Sequence, residues 1–359
     1  MIRKIISFLK RYWLFVLLAA IASGLILVRL NQRTQPSLGP EPAPSPPISL
    51  SSLEITGSPL PADTKITAVN FSFPSRLKIY QGQENKLTSD KARKIAQELN
   101  FSGSLQEAND IFLGVFYNWS LEKSFLSIGL DVSEIDYALN LGEAQLPTQG
   151  NLPSPEKAKT SLETLLNKIG IKPDFDLRWQ KEEYLTQGYY LQTVASPEQA
   201  DFIKIGANPA IGQYQLVGLD PTEPLIFVIL NKKEEVVRFR YQIHLSDFKA
   251  QETYDLKTKA EVENLLLSEG RIVYFGTFQE SVRPPEINQA EFNQITLAYY
   301  QETEKNPILQ PIYILSGQGT LENGETTEII AYLPAIKFGT QTQENLEVPR
   351  EFFQLPELP

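Results

Sequence analysis

The sequence predicts an α+β protein, in which an N-terminal transmembrane helix and a Pro-rich stalk precede repeated units of one helix packed on an antiparallel sheet. Three observations lead to this prediction. Trp13–Val28 carries no charge, prolines crowd Gln35–Pro47, and the rest of the chain alternates between capped amphipathic segments and strand-like segments. Of the 359 residues, 42% are hydrophobic and 21% are charged, which is typical of a globular chain.

The N-terminal segment has the features of a membrane-spanning helix. As a helix, Trp13–Val28 is about 24 Å long, and its neighbours extend it towards the roughly 30 Å of a bilayer core. Basic residues precede it, so the positive-inside rule leaves the N-terminus in the cytoplasm and the body outside. We therefore predict a cytoplasmic tail at 1–11 and a transmembrane helix at 12–30. The alternatives are a signal peptide cleaved near Ala20–Ala22 and a buried helix of a globular protein.

Proline composition predicts the next boundaries. Proline fixes the backbone and removes a hydrogen-bond donor, so 31–50 is predicted to be an extended, Pro-rich linker. The Pro- and Gly-containing segment Leu141–Pro153 is the best boundary within the body. We predict a first α+β ectodomain at 51–147 and a second at 148–359.

Helices are predicted where a Ser or Thr precedes apolar residues spaced three and four apart. The hydroxyl can cap the free N–H groups of a first turn, and the spacing places the apolar side chains on one face. Three such helices are predicted at Thr88 to Leu99, Ser154 to Ile169 and Thr258 to Leu267. A fourth helix is predicted at Asn288 to Tyr300.

Apolar runs and alternation predict the strands. Leu225–Leu230 is continuously apolar, as expected at the centre of a sheet. Val236–His244 alternates, as expected for an antiparallel strand with one solvated face. The predicted buried face has Val237, Phe239, Tyr241 and Ile243, and the predicted polar face has Val236, Arg238, Arg240, Gln242 and His244.

The polar face of this strand contains the candidate binding residues. Arg238, Arg240 and His244 bring three potential cations to one face, which is a surface patch suited to a carboxylate or another anion. An ordinary solvated sheet face is the alternative. We also expect both arginines to be exposed, so that their replacement by Ala changes stability little.

Composition excludes several chemistries. The chain has no Cys and one His, which excludes thiol nucleophiles, Cys-ligated metals, disulfides and any motif that needs two His. Ser-x-x-Lys sequences, such as those at Ser120 and Ser154, lack the companion motifs of penicillin-binding enzymes. Asp131, Glu134 and Asp136 form a carboxylate cluster without the EF-hand pattern. We predict no catalytic residue, no metal site and no cofactor.

Charge is unevenly distributed along the chain. The formal net charge is −10, with 33 basic and 43 acidic residues, and the first 33 residues contain basic but no acidic side chains. The acidic body repels phosphate backbones, so nucleic acid is not an expected partner. The predicted partners are the lipid bilayer, through the N-terminal helix, and an envelope or membrane protein.

Three short stretches of the body resemble a known family. They are the helix SPEKAKTSLETLLNKIG at Ser154–Gly170, the strand at Leu309–Ile314 and the strand at Ala331–Ala335. With the anchor and stalk, they are similar to the PepSY-like superfamily, in particular to membrane-anchored YycH/YycI-type accessory regulators of a cell-wall sensor kinase. The resemblance implies helix-plus-antiparallel-sheet units, no catalytic residues and binding of other envelope proteins. The stalk is longer than expected for that group, and 51–146 has no clear counterpart in it.

The sequence thus predicts a non-catalytic, membrane-anchored extracytoplasmic protein of the bacterial cell envelope that binds or regulates an envelope partner. Two alternatives stay open. The first is an envelope hydrolase that uses carboxylates, because paired carboxylates can hydrolyse a glycosidic bond. The second is a module that contacts glycans or lipids.

Overall fold

The structure is a computed structural model that describes residues 53, 55–68, 70–110, 114–140, 150–172, 175–187, 191–276, 286–301 and 307–337. All of these residues belong to one compact unit of the chain, Ser52–Pro359. Strands hold 54% and helices 15% of the described part.

Three α-helices occur in the described residues: α1 (Ser89–Glu98), α2 (Pro155–Lys168) and α3 (Lys259–Glu269). Their N-caps are Thr88, Ser154 and Thr258, and each hydroxyl oxygen accepts the backbone N–H three residues later at 3.2–3.4 Å. The Glu261 side chain accepts the N–H of Thr258 and completes a capping box. These three predicted helix starts are confirmed.

Nineteen strands occur in the same ranges. They are β1 (Ser58–Pro59), β2 (Asp63–Ile66), β3 (Arg76–Glu84), β4 (Leu105–Asp110), β5 (Gly114–Leu121), β6 (Ser124–Gly129), β7 (Glu134–Leu139), β8 (Asp176–Trp179), β9 (Glu183–Gln187), β10 (Leu191–Val194), β11 (Phe202–Ile211), β12 (Tyr214–Val217), β13 (Ile226–Asn231), β14 (Val236–Gln242), β15 (Leu245–Asp255), β16 (Arg271–Phe275), β17 (Ile287–Tyr300), β18 (Ile308–Leu321) and β19 (Thr326–Pro334).

Sheet I is an antiparallel sheet with the order β4-β5-β6-β7-β14-β13-β11-β9-β10, and β8 pairs with β11 beside β9. Helices α1 and α2 pack on one of its faces. There Ile95 of α1 and Leu162 of α2 join a buried cluster that contains Ile128, Val228 and Phe239 of the sheet. The continuously apolar run predicted for a sheet centre forms β13, which is buried along its length.

Sheet II has the order β1-β16-β19-β18-β17-β2, with β2 and β17 parallel and the other pairs antiparallel. Helix α3 packs on one face, where Val262 and Leu266 meet Tyr313 and Leu333. A second cluster, which includes Ile55, covers the other face. Sheet II is therefore buried on both faces, and its inner strands are apolar on both sides.

Strand β12 joins sheets I and II, and a two-stranded ribbon is attached to sheet II. Strand β12 pairs with β11 through Tyr214 and Gln215, and in parallel with β17 through Leu216–Val217. Strands β3 and β15 form an antiparallel ribbon, and β3 also pairs with Ile308–Leu309 of β18. All described strands thus belong to one hydrogen-bonded network.

The predicted fold class is wrong in its main point. The repeated helix-plus-sheet units are not the architecture, because the strands form one large mixed sheet system. For example, β7 pairs with β14 through Asp136 and Arg240, although they lie on opposite sides of the boundary at 147/148. The alternation of apolar and polar residues predicts which face of a strand is buried. It does not predict which other strand pairs with each edge of that strand, because this depends on the whole fold. The domain boundary itself stays a prediction.

The predicted helix at 288–300 is also wrong, because these residues belong to β17. A register shift between Phe292 and Gln294 interrupts the alternation of β17. The buried residues Phe292 and Ile295 are therefore three apart, which imitates helical spacing. Gly317 lies opposite this bulge, and a Cβ there would stand 1.9 Å from the carbonyl oxygen of Glu291, so only glycine fits.

The predicted single-pass membrane topology is corrected. No helix in the described residues is both long and apolar enough to cross a membrane. The longest, α2, has 14 residues, and a span needs about 20. The predicted tail, membrane helix and linker at 1–11, 12–30 and 31–50 lie outside the described residues. The structure therefore does not support the transmembrane anchor or the extracytoplasmic location that rested on it.

Three buried tyrosines connect sheet II to neighbouring segments. The hydroxyl of Tyr299 donates to the carbonyl of Lys78 at 2.6 Å, and that of Tyr313 donates to the carbonyl of Lys257 at 2.7 Å. The Tyr332 hydroxyl donates to the carbonyl of Gly218, just after β12, at 2.9 Å. Burial raises the pKa of all three phenols, so they remain neutral donors.

Replacing Tyr332 by Phe removes one of these connections. The carbonyl of Gly218 then loses its donor, and we expect the free energy of unfolding to fall by about 1–2 kcal/mol. The matched control is Tyr254→Phe. Among the described residues, the Tyr254 hydroxyl contacts Glu252 at 3.4 Å, and its loss should change stability by less than about 0.5 kcal/mol. Urea unfolding of both variants tests this, and equal effects would contradict it.

Candidate functional site

A cavity of about 340 Å³ lies where β14 ends, beside the ends of β12 and β17. Its polar lining residues are Asp220, Glu223, Arg240, Gln242, His244 and Gln301, and its apolar ones include Leu219, Leu225 and Val273. Two of the three candidate binding residues therefore line one cavity. The third, Arg238, lies on the same face of β14 but does not line it.

The predicted faces of β14 are confirmed except at its first two residues, Val236 and Val237. Phe239 faces the helices, and Arg238 and Arg240 lie on the opposite face, as predicted. A β-bulge between Val236 and Arg238 shifts the register, so Val237 joins the buried cluster on the arginine face. The prediction that Val237 shares the face of Phe239 is therefore wrong. The prediction that Val236 lies on the polar face is wrong as well, because Val236 packs against the cluster of Phe239.

Arg240 is held between two carboxylates. Its Nη2 donates to Oδ2 of Asp136 at 2.9 Å, and its Nη1 donates to Glu223. The side chain is 18% exposed, so the expectation that Arg240 is exposed is wrong. Arg238 reaches the same Asp136 oxygen at 3.5 Å. Pairing offsets the positive charge of this face, and anion binding here stays a prediction.

The ring of Phe227 lies beneath the two arginines and a neighbouring lysine. Lys204, Arg238 and Arg240 stand 5.2–5.7 Å from the ring centre of the fully buried Phe227. Cations over a ring face are attracted by its quadrupole, and Lys204 is also paired with Glu183 at 3.2 Å. The arginine face is therefore a packed, charge-balanced surface that holds the Arg240 side chain in one position.

His244 has a fixed tautomer. Its Nδ1 contacts the carbonyl oxygen of Val132, so Nδ1 carries the proton and Nε2 is left as an acceptor. Burial lowers the pKa of His244 from its usual value of 6.5, and the contact with Val132 opposes this effect. His244 is therefore neutral at neutral pH and acts as a hydrogen-bonding group.

Gln301 is a site residue that the sequence did not identify. Its side chain is 2% exposed and follows β17. The Oε1 atom accepts the backbone N–H of His244, and Nε2 donates to the carbonyl of Gln242, both at 3.3 Å. Gln301 thus ties the end of sheet II to the end of β14. No local sequence signal marks it, because its burial results from contacts across the fold.

The structure separates Asp131 from the other two carboxylates of the cluster, whereas Glu134 and Asp136 both lie near Arg240. Asp131 accepts the backbone N–H of Val115 at 3.1 Å, Asp136 binds the arginines, and Glu134 pairs across the strands with Gln242. Burial raises the pKa of Glu134, although Arg240 opposes this. Within the described ranges, no group of three His, Asp or Glu side chains is arranged to hold a metal ion.

Comparison with protein families and with curated proteins gives no match. A crystal structure of an uncharacterized protein from Eubacterium rectale ATCC 33656 is similar to this chain, with a TM-score of 0.45 and 12% identity over 77% of this chain and 92% of that one. This similarity is too low to support a statement about function. The resemblance to the PepSY-like superfamily stays a prediction.

Replacing Arg240 by Ala leaves Asp136 and Glu223 without their main partner. Because these groups are mostly buried, we expect a loss of about 2–4 kcal/mol in the free energy of unfolding. Arg178→Ala is the control, since Arg178 is exposed on β8 and its loss should change stability by less than about 0.5 kcal/mol. Denaturant unfolding measures both, and a stable Arg240→Ala protein would show that these ion pairs contribute little.

The buried imidazole makes stability depend on pH. As the pH falls below 6.5, His244 is protonated in the unfolded state at a higher pH than in the folded state. The free energy of unfolding therefore decreases as the pH decreases. Between about pH 7.5 and 5.5, wild type should lose stability relative to His244→Gln by at most about 1.4 kcal/mol per pH unit. Glu134 acts in the opposite direction, but it is present in both proteins. If the free energies of unfolding of wild type and His244→Gln change equally with pH, this role of His244 is excluded.

Proposed function

We propose that the chain is a non-catalytic binding protein that takes a short polar segment of a partner, such as a peptide, into the cavity at Arg240 and His244. The observation that carries the proposal is a cavity whose lining combines fixed hydrogen-bond donors and acceptors. Its volume of about 340 Å³ is within the usual range for ligand pockets.

The lining groups are held in place before a ligand arrives. Carboxylates orient Arg240, the Val132 carbonyl orients His244, and two backbone groups orient Gln301. A preorganised site binds more tightly, because less side-chain freedom is lost on binding. This supports a binding role for the cavity.

Charge favours a ligand with both donors and acceptors. Asp220 and Glu223 line the cavity together with Arg240, while neutral His244 and two glutamines provide uncharged groups. A simple anion meets two carboxylates here. A peptide segment offers amide N–H and carbonyl groups that match such a mixed lining.

The hydrolase alternative has less support. Glu134 is not among the residues that line the cavity, and Asp136 is engaged by the arginines. Within the lining, Asp220 accepts the N–H and the hydroxyl of Thr222 at 2.8 and 2.7 Å, and Glu223 is paired with Arg240. These carboxylates are therefore engaged in contacts within the protein.

A panel of Gly-X-Gly tripeptides, with X as each amino acid, provides the probes. We expect some members to raise the midpoint of thermal unfolding, because a ligand that binds only the folded state stabilises it. Leu219 is 38% exposed and lines the cavity, so Leu219→Trp should fill the entrance and abolish the shift.

The matched control is Leu267→Trp. Leu267 is 49% exposed and lies on α3, away from the cavity, so this variant should keep the wild-type response. The proposal fails if no tripeptide shifts the midpoint, or if the two Trp variants respond alike.

A further inference from the structure

A larger cavity lies at the opposite end of β14, on the face that carries the helices. Its volume is about 520 Å³. The apolar part of its lining comes from the ends of α1, α2, β7 and β14 and includes Leu139, Leu165 and Phe239. Phe239 is fully buried and Leu165 nearly so, so the floor of the cavity belongs to the core of sheet I.

Two exposed lysines line this cavity. Lys123, between β5 and β6, and Lys168, at the end of α2, both line it. Among the described residues, neither ammonium forms an ion pair. Glu235 is the one carboxylate among the described residues of the lining, and it accepts the side-chain amide of Asn231 at 2.8 Å. The described lining residues therefore combine an apolar floor with a net positive charge, in a chain whose net charge is −10.

We propose that this cavity binds a small amphipathic carboxylate, with its aliphatic part against Leu139, Leu165 and Phe239 and its carboxylate beside Lys123 and Lys168. Burying the aliphatic part removes apolar surface from water, and the ammonium groups provide charge-assisted hydrogen bonds to the carboxylate. A cation meets two like charges here, and an uncharged chain gains only the apolar contact. The site is independent of the peptide cavity at the other end of β14.

Isothermal titration calorimetry with decanoate, below its micelle concentration, tests the site. We expect one decanoate per chain, and at least about tenfold weaker binding of decanol, because decanol has the same chain without the charge. Decyltrimethylammonium should bind more weakly than decanol. Equal affinities for the three probes would overturn the assignment of the lysines.

Substitutions separate the two parts of the site. Lys123→Gln with Lys168→Gln should reduce decanoate affinity to the level of decanol. Lys94→Gln with Lys249→Gln is the control, since both lysines are exposed elsewhere, and this variant should bind decanoate like wild type. Leu139→Trp should fill the cavity and abolish binding of both probes. No decanoate binding to wild type, or unchanged binding in Leu139→Trp, would overturn the proposal.

Discussion

Strand β12 is hydrogen-bonded to both sheets, and the placement of the other elements depends on these bonds. Its first residues pair with β11 and its last with β17. The hydroxyl of Tyr332 binds the carbonyl of Gly218 directly after β12. A short strand that pairs on both sides leaves few backbone groups unsatisfied. The two sheets therefore share one hydrogen-bonded framework, and the polar cavity lies at the end of this connection.

Charge pairing shapes the polar cavity. Arg240 is desolvated, and its position is sustained only because Asp136 and Glu223 surround it. Gln301 satisfies backbone groups of β14 and the following residues. The cavity is thus lined by groups whose positions are fixed by the fold. By contrast, the cavity at the other end of β14 has an apolar floor with lysines beside it, so the two ends of this strand offer different chemistry.

Local signals in the sequence predict some elements well. The capping residues Thr88, Ser154 and Thr258 identify three helix starts, because capping acts within one turn. The alternation of Val236–His244 places Arg238 and Arg240 on one face. The same reasoning fails at β-bulges, where a strand has one extra residue. The bulge in β14 moves Val237 to the other face, and the bulge in β17 gives its sequence a helix-like spacing. A local sequence pattern does not show contacts between residues that are far apart in the chain. The burial of Arg240 and the role of Gln301 depend on such contacts, so only the structure reveals them.

Amide hydrogen exchange across a denaturant series tests the shared framework most directly. If β12 joins the sheets into one unit, amides of β13 in sheet I and of β18 in sheet II should open with the same free energy and the same dependence on denaturant. Loss of protection in β18 at a lower denaturant concentration, while β13 remains protected, would show that the sheets unfold separately.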